Sequence, residues 1–210
     1  MRAGAPADSE ISAVTATAAP GAVRGQLILL IDLERCTGCR ACEAACKLEN
    51  RLGEGIFRNR VFWIPPAEEG GRFEFMTTVC QQCARPACLR ACGAGAIAKD
   101  PETGVVIVDD RTCTGCQECV LACPYGAISF DHRRHKAEKC NLCVDRRQQG
   151  MEPACAAACP GRAIVFGERQ ALAAAAGADG RTIRNIDHFG LAPSALYLEH
   201  VPRDRAGVSR

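Results

Sequence analysis

Residues 113–124 read CTGCQECVLACP, four cysteines followed at once by a proline. Cys113, Cys116 and Cys119 stand at i, i+3 and i+6 on a loop containing Gly115, so their sulfurs can turn into one concavity. The fourth, Cys123, follows after three intervening residues, starts a helix and points elsewhere. The same spacing occurs at Cys36, Cys39, Cys42 and Cys46, with Thr-Gly again filling the first gap. Ile31-Asp32 and Val108-Asp109 precede the two groups at equal distances, so these are aligned copies of one unit. Two looser copies complete the set. Cys80, Cys83, Cys88 and Cys92 have two extra residues in the middle gap, and Cys140, Cys143, Cys155 and Cys159 stretch that gap to eleven residues and end in Pro160.

The flanks repeat as well. Ala96-Ile97, Ala127-Ile128 and Ala163-Ile164 each place an isoleucine five residues after the last cysteine of a group. Each opens a short apolar run (96–98, 127–130 and 163–166) that reads as a strand. The first group has Arg51 at that place and no such return. The unit is therefore strand, cysteine loop, short helix, turn, strand, recurring from about 27 to 167. Between the first two groups, Val61–Ile64 and Arg72–Phe75 flank Pro65-Pro66 and Gly70-Gly71, which predicts an inserted hairpin or long loop. The plain reading of its aromatics Phe62, Trp63, Phe73 and Phe75 is that they pack on the core. Beyond 167, Gln170–Ala176 predicts a short alanine-rich helix, and the remainder reads as an irregular arm, with 168–210 expected to bind a partner.

Composition fits this picture and excludes others. The chain has 210 residues, 48% hydrophobic and 24% charged, with a formal net charge of +2, so neither disorder nor collagen describes its bulk. The charge balance does not point to nucleic acid or an anionic membrane. Sixteen cysteines stand beside only seven Phe, two Tyr and one Trp, so something other than aromatic packing must hold the fold. No segment approaches the roughly 18 apolar residues of a membrane span, because the best run, Leu27–Leu33, is broken by Asp32. Residues 1–26 read as a flexible tail with neither an apolar signal core nor an arginine pair, and Arg133-Arg134 lies too far along the chain to serve. The expectation is a chain with no signal peptide of its own, cytoplasmic or exported folded with a signal-bearing partner.

The CxxCxxCxxxCP spacing is that of a two-cluster iron–sulfur protein, in which three thiolates hold one 4Fe–4S cluster and the fourth ligates the other. Thiolates are soft ligands that suit iron, and clusters tie together loops that lack a large apolar core. Sixteen ligands at four per cluster make four clusters. Eight disulfides would need an oxidising compartment, and cysteines three apart in a loop are poorly placed to pair. Zinc suits isolated CxxC pairs, yet it leaves the tight third cysteine and the repeated CxxxCP unexplained. A thioredoxin-like CxxC is weaker still, because the pairs come in sets. Gly93-Ala94-Gly95-Ala96-Ile97-Ala98 matches a dinucleotide pattern but falls inside a cysteine repeat, so it reads as a cluster loop. The basic run 132–136, continued by Lys139, Arg146 and Arg147, reads as solvated surface, with a docking face as the alternative. No histidine is needed as a ligand, and there is no CxxCH to attach haem.

The array CTGCRACEAACK, CQQCARPACLRAC, CTGCQECVLACPYGA, CNLCVDRRQQGMEPACAAACP resembles the iron–sulfur electron-transfer (beta) subunits of the dimethyl-sulfoxide-reductase superfamily. The resemblance covers about 27–167, and Pro193-Ser194-Ala195-Leu196-Tyr197-Leu198 is similar to a tail pattern in some members. It implies an α+β fold of two tandem ferredoxin-like modules with nested pairing, group one with group four and group two with group three. The implied ligand sets are Cys36, Cys39, Cys42 with Cys159; Cys46 with Cys140, Cys143, Cys155; Cys80, Cys83, Cys88 with Cys123; and Cys92 with Cys113, Cys116, Cys119. Gly93 departs from the proline common after the last cysteine of group two. Where some nitrate-reductase relatives carry a tryptophan and a 3Fe–4S cluster, this chain has Cys116.

The implied role is a relay of single electrons rather than catalysis, since a fully ligated cubane has no open iron site. One partner would be a molybdenum or tungsten pterin catalytic subunit, and the other a membrane quinol subunit, a cytochrome or a flavoprotein. A polyferredoxin-type subunit of a tungsten aldehyde oxidoreductase or hydrogenase complex is the alternative. A zinc-stabilised scaffold is a third reading, which colour alone would separate.

Overall fold

The computed structural model describes residues 25–66 and 73–201. The tail expected over 1–26 and the turn of the inserted hairpin fall largely outside them. Among the described residues, nine short strands and six helices follow in the order β1 (Leu27–Asp32), α1 (Ala41–Glu49), β2 (Asn59–Ile64), β3 (Glu74–Val79), α2 (Ala87–Arg90), β4 (Ile97–Lys99), β5 (Val106–Val108), α3 (Glu118–Ala122), β6 (Ile128–Asp131), β7 (Lys136–Lys139), α4 (Val144–Gln148), α5 (Ala154–Ala157), β8 (Ile164–Glu168), α6 (Arg169–Ala178) and β9 (Leu196–Leu198). The mixed helix and strand content and the small sheets agree with the expected class.

The three return strands form where their isoleucines predict them, as β4, β6 and β8, each paired antiparallel with a strand that leads into a cysteine loop. β4 pairs with β5, with Ile97 opposite Val108, and β6 pairs with β7, with Ile128 opposite Lys139. β8 returns to the start of the chain and pairs with β1, from Leu27 opposite Glu168 to Ile31 opposite Ile164. The group that lacks a return strand is followed instead by the inserted hairpin, β2 against β3, running from Asn59 opposite Val79 to Ile64 opposite Glu74.

β1 reads as a continuous apolar run because both of its faces are covered. Side chains alternate across a strand, and here the odd residues Leu29, Ile31 and Leu33 join one core with Cys42, Cys155, Leu142 and Tyr197. The even residues Ile28 and Leu30 join another with Ala176, Leu196 and Leu198, against which Leu172 and Ala173 of α6 pack. β9 supplies the other edge of this sheet by running parallel to β1, with Leu30 opposite Leu196. The arm is irregular over most of its described length, as expected, but its residues Leu196–Leu198 form a strand, and the helix expected at 170–176 is the layer over it. A separate core of Ile97, Val106, Cys119, Ile128 and Ala137 underlies the two middle ribbons.

Packing of the hairpin aromatics on the core holds for one residue of four. Phe75 packs against the main core, but Phe62, Trp63 and Phe73 are 48%, 60% and 52% exposed. Phe62 and Trp63 are neighbours on β2 and point to opposite faces of the two-stranded ribbon: Trp63 stands beside Phe75 with ring centroids 5.6 Å apart, and Phe62 lies on the other face. The basic run is not one solvated surface either. Arg134 pairs with Asp110 and Glu138, Lys136 donates to the Cys113 carbonyl, Arg146 reaches Glu49, and Lys139 is buried.

Candidate metal centre

All sixteen cysteines are free thiols, and the fold gathers them around four hollows. One, of about 310 Å³, is lined by Cys36, Cys39, Cys42 and Cys159. A second, of about 300 Å³, is lined by Cys46, Cys140, Cys143 and Cys155. A third, of about 350 Å³, has Cys80, Cys83, Cys88 and Cys123, and a fourth, of about 330 Å³, has Cys92, Cys113, Cys116 and Cys119. Each hollow thus takes three cysteines from one group and one from another, and no cysteine is left outside.

Local geometry explains this division. Cys42 and Cys46 sit on α1 one turn apart and face successive hollows, as do Cys155 and Cys159 around α5, and α1 packs against α5. α2 and α3 make the equivalent pair for the other two hollows. The two pairs meet where Cys80 lies close enough to Cys140 for their charges to interact. The hollows therefore run in a line: two inner ones that adjoin, flanked by two outer ones. Cys39 and Cys116, each in an outer hollow, are the two exposed cysteines of the sixteen.

The loop bend recurs in every group. The residue before the second cysteine has a left-handed backbone in all four, with φ of 70° at Gly38, 45° at Gln82, 77° at Gly115 and 53° at Leu142. Glycine takes this conformation without a steric cost. Gln82 and Leu142 are held in it by burial, each 1% exposed. Gln82 accepts from the Val106 amide at 2.7 Å and donates to the Cys140 carbonyl at 3.0 Å, so its side chain ties one cysteine loop to the next. At Gly115 a methyl group would lie 2.5 Å from the His135 carbonyl oxygen. Gly115→Ala is therefore expected to destabilise the protein by about 1–3 kcal/mol from backbone conformation alone, more if His135 cannot yield, and to lower metal content at the Cys116 hollow. Iron analysis and a thermal melt check this; unchanged values for both would show that the loop tolerates a side chain.

The hollows suit soft, positively charged guests. Burial pushes the Cys42, Cys46 and Cys83 thiols up to about 12, and the other sulfurs of each hollow push the same way. Four such thiols release their protons together only to a metal that replaces that charge. Donors already point at the sulfurs: the Ala96 amide at Cys92 Sγ (3.2 Å), the Ala163 amide at Cys159 Sγ (3.2 Å) and the Leu142 amide at Cys140 Sγ (3.4 Å). Such bonds tune thiolate-bound clusters. Among the described residues no three His, Cys, Asp or Glu side chains converge closely enough for a single ion; the sulfurs ring a volume instead. The remaining lining is largely apolar in two hollows, with Val106, Ile128 and Pro124 in one and Ile97, Val108 and Ala137 in the other, while the other two also present polar residues such as Asn50 and Arg58, and Thr37 and Thr77.

Several contacts carry no signal in cysteine spacing. Asn50 Nδ2 lies 3.6 Å from Cys46 Sγ, and Thr77 Oγ1 lies 3.7 Å from Cys36 Sγ. Trp63 Nε1 donates to the Gly38 carbonyl at 3.3 Å, so the hairpin braces the loop that carries Cys39. Gln82 could have been noticed, because it stands inside a CxxC where the two tight groups have glycine. The loop at 93–98 is a cysteine turn, as its spacing suggested: Gly95 has a φ of 67° and the Ala96 amide serves Cys92.

Comparison with known proteins gives the same chemistry. The family described as 4Fe-4S dicluster domain matches residues 72–169, and that described as 4Fe-4S binding domain matches 27–48. The sequence is similar to the B subunit of tetrathionate reductase from Salmonella typhimurium, 37% identical over 151 residues, which cover 70% of this chain and 60% of that protein. It is 39% identical over 146 residues to the thiosulfate reductase electron transfer subunit PhsB of Salmonella typhi, covering 68% of this chain and 76% of the relative. The B component of the anaerobic dimethyl sulfoxide reductase of Escherichia coli is 37% identical over 146 residues, with 65% of this chain and 71% of the relative covered.

Proposed function

The protein belongs to the iron–sulfur electron-transfer subunits of the dimethyl-sulfoxide-reductase superfamily, and from that premise we propose that it carries four 4Fe–4S clusters and relays single electrons between a molybdenum or tungsten pterin catalytic subunit and a second redox partner. Catalysis belongs to the partner subunit. Bound at these sites, a cluster supplies a one-electron carrier with no open coordination position. The observation that carries the reading is the lining of each hollow by four cysteine sulfurs. The proposed ligand sets are Cys36, Cys39, Cys42 and Cys159; Cys46, Cys140, Cys143 and Cys155; Cys80, Cys83, Cys88 and Cys123; and Cys92, Cys113, Cys116 and Cys119.

The residues around the sulfurs have separate tasks. Backbone amides of Ala96, Leu142 and Ala163 hold thiolate charge, apolar side chains exclude water, and the left-handed loop residues aim the sulfurs inward. In this reading electrons enter and leave at the two ends of the row, where Cys39 and Cys116 are exposed. A membrane quinol subunit, a cytochrome or a flavoprotein would meet the end that the catalytic subunit leaves free, and the segment 168–210 would help to bind a partner. In the described residues no helix is long and apolar enough to cross a membrane, so contact with a quinone pool would run through such a subunit. The chain would work in the cytoplasm or be exported folded with a partner that bears the signal.

Anaerobic purification tests the cofactor. About 16 iron and 16 sulfide per chain are expected from four cubanes, with a brown colour. A colourless protein that holds zinc alone would sink the proposal. Copurification tests the partner: a pterin-bearing subunit is expected, and a hydrogenase or an aldehyde oxidoreductase in its place would redirect the assignment.

A further inference from the structure

Lys139 is 3% exposed, the one buried lysine or arginine among the described residues. It lines the hollow of Cys80, Cys83, Cys88 and Cys123 and precedes Cys140, which lines the adjoining one. Its ammonium donates to two carbonyls, those of Val106 and Cys140, the latter at 3.0 Å. Neither acceptor is a carboxylate. Glu138, the next residue back, is turned away and occupied by Arg58 at 2.7 Å and by Arg134 at 2.5 Å. Arg58 also borders an inner hollow, but its charge is offset by that carboxylate. Gln82 meets Lys139 at the Cys140 carbonyl, so a small buried network of neutral acceptors fixes the ammonium at the wall of the Cys80 hollow, beside Cys140 of the adjoining one.

A buried charge without a counterion is costly unless something opposite in sign faces it. Here the two inner hollows supply that sign, because each gathers four thiolates. We infer that Lys139 sets the reduction potentials of the two inner clusters, its fixed charge favouring their more negative, reduced states. The inference rests on the four-cluster reading. Adding an electron makes a cluster more negative, so a nearby cation stabilises the reduced form and raises the potential. Carbonyl dipoles pin Lys139 in one place, and its burial keeps solvent ions from screening it. The outer clusters lie beyond the inner ones and feel it less. The inner pair is thereby held at potentials that allow electrons to cross from one half of the protein to the other.

The experiment is an EPR-monitored redox titration of the full chain, purified anaerobically with its clusters, as wild type, Lys139→Met, Lys139→Gln and Lys139→Arg. Iron content of the wild type comes first; a chain without clusters overturns the function proposed above and is recognised before any variant is made. In the neutral variants two of the four clusters are expected to become at least tenfold harder to reduce at a fixed potential, about 59 mV for a one-electron couple. The other two stay put, including the one that Cys116→Ser marks by its altered signal. Lys139→Arg keeps the charge and restores most of the shift. Lys139→Gln serves as the neutral variant if Lys139→Met releases iron, because it retains N–H donors. Four unmoved potentials at full iron content overturn the inference. Equal shifts at all four clusters, or iron loss in every variant including Lys139→Arg, also overturn it, since either would make Lys139 a packing residue.

Discussion

Cys155→Ser is expected to cost the protein a cluster and much of the part built on α1 and α5. The side chain is 5% exposed, lines the hollow with Cys46, Cys140 and Cys143, and belongs to the same core as Leu29, Ile31 and Cys42. Its helix, α5, packs on α1 and carries the chain on to Cys159 of the next hollow. Losing the ligand therefore loosens two hollows. Metal binding contributes on the order of 10 kcal/mol to small metal-stabilised folds, while a whole domain is stable by only about 5–15 kcal/mol. Iron is expected to fall to half or less, with poor recovery of folded chain. Iron loss confined to one atom per chain would show that the site tolerates the change. Cys116→Ser makes the contrast. That cysteine is exposed and sits on a loop at the end of the line, so the expected product is a 3Fe–4S cluster with its oxidised EPR signal and three cubanes intact. Four unchanged cubanes would remove Cys116 from the ligand set.

This contrast also marks what could be read from the chain alone. Ligand types and their grouping follow from spacing, because cysteines three apart on one loop can turn their sulfurs toward a common guest. Which group shares with which depends on contacts far apart in sequence. Leu27 meets Glu168, and Leu30 meets Leu196, and nothing local encodes either pairing. β9 is a three-residue strand whose side chains are all buried, too short for alternation to show. Asp32 reads as the break in an apolar run, yet it is 5% exposed and ends the central strand. Lys139 reads as one more basic residue in a surface run; its burial comes from the approach of β5, whose Val106 carbonyl it meets. Charged residues at such places look ordinary in sequence because their partners lie about 150 residues away for Asp32 and 33 for Lys139.

Arg181→Met tests how far that hidden pairing matters. Asp32 accepts from the Glu34 amide at 3.0 Å and the Arg35 amide at 3.4 Å, a turn that delivers the chain to Cys36. Arg181 closes on it with two bonds, 2.8 and 3.0 Å, and also donates to the Glu199 carbonyl at 2.8 Å, fastening the end of β9 to the end of β1. Removing one partner of a buried ion pair costs about 3–5 kcal/mol. The guanidinium is 18% exposed and the turn amides remain, so about 2–3 kcal/mol is the better expectation here. A protein of this size should then melt about 5–10 °C lower, with the Cys36, Cys39, Cys42 and Cys159 hollow releasing its iron first. Asp32→Asn combined with Arg181→Met should recover part of the loss, because a neutral amide needs no cation. The aligned residue in the other copy gives the control. Asp109 makes the same turn before Cys113, and its arginine, Arg111, is 95% exposed at 3.8 Å. An exposed pair of that kind contributes little, so Arg111→Met should leave the melt unchanged. Two copies of one turn would then differ in stability solely because α6 and β9 cover one of them. Equal melting of the two variants would mean that this cover does not bury Asp32 enough to matter.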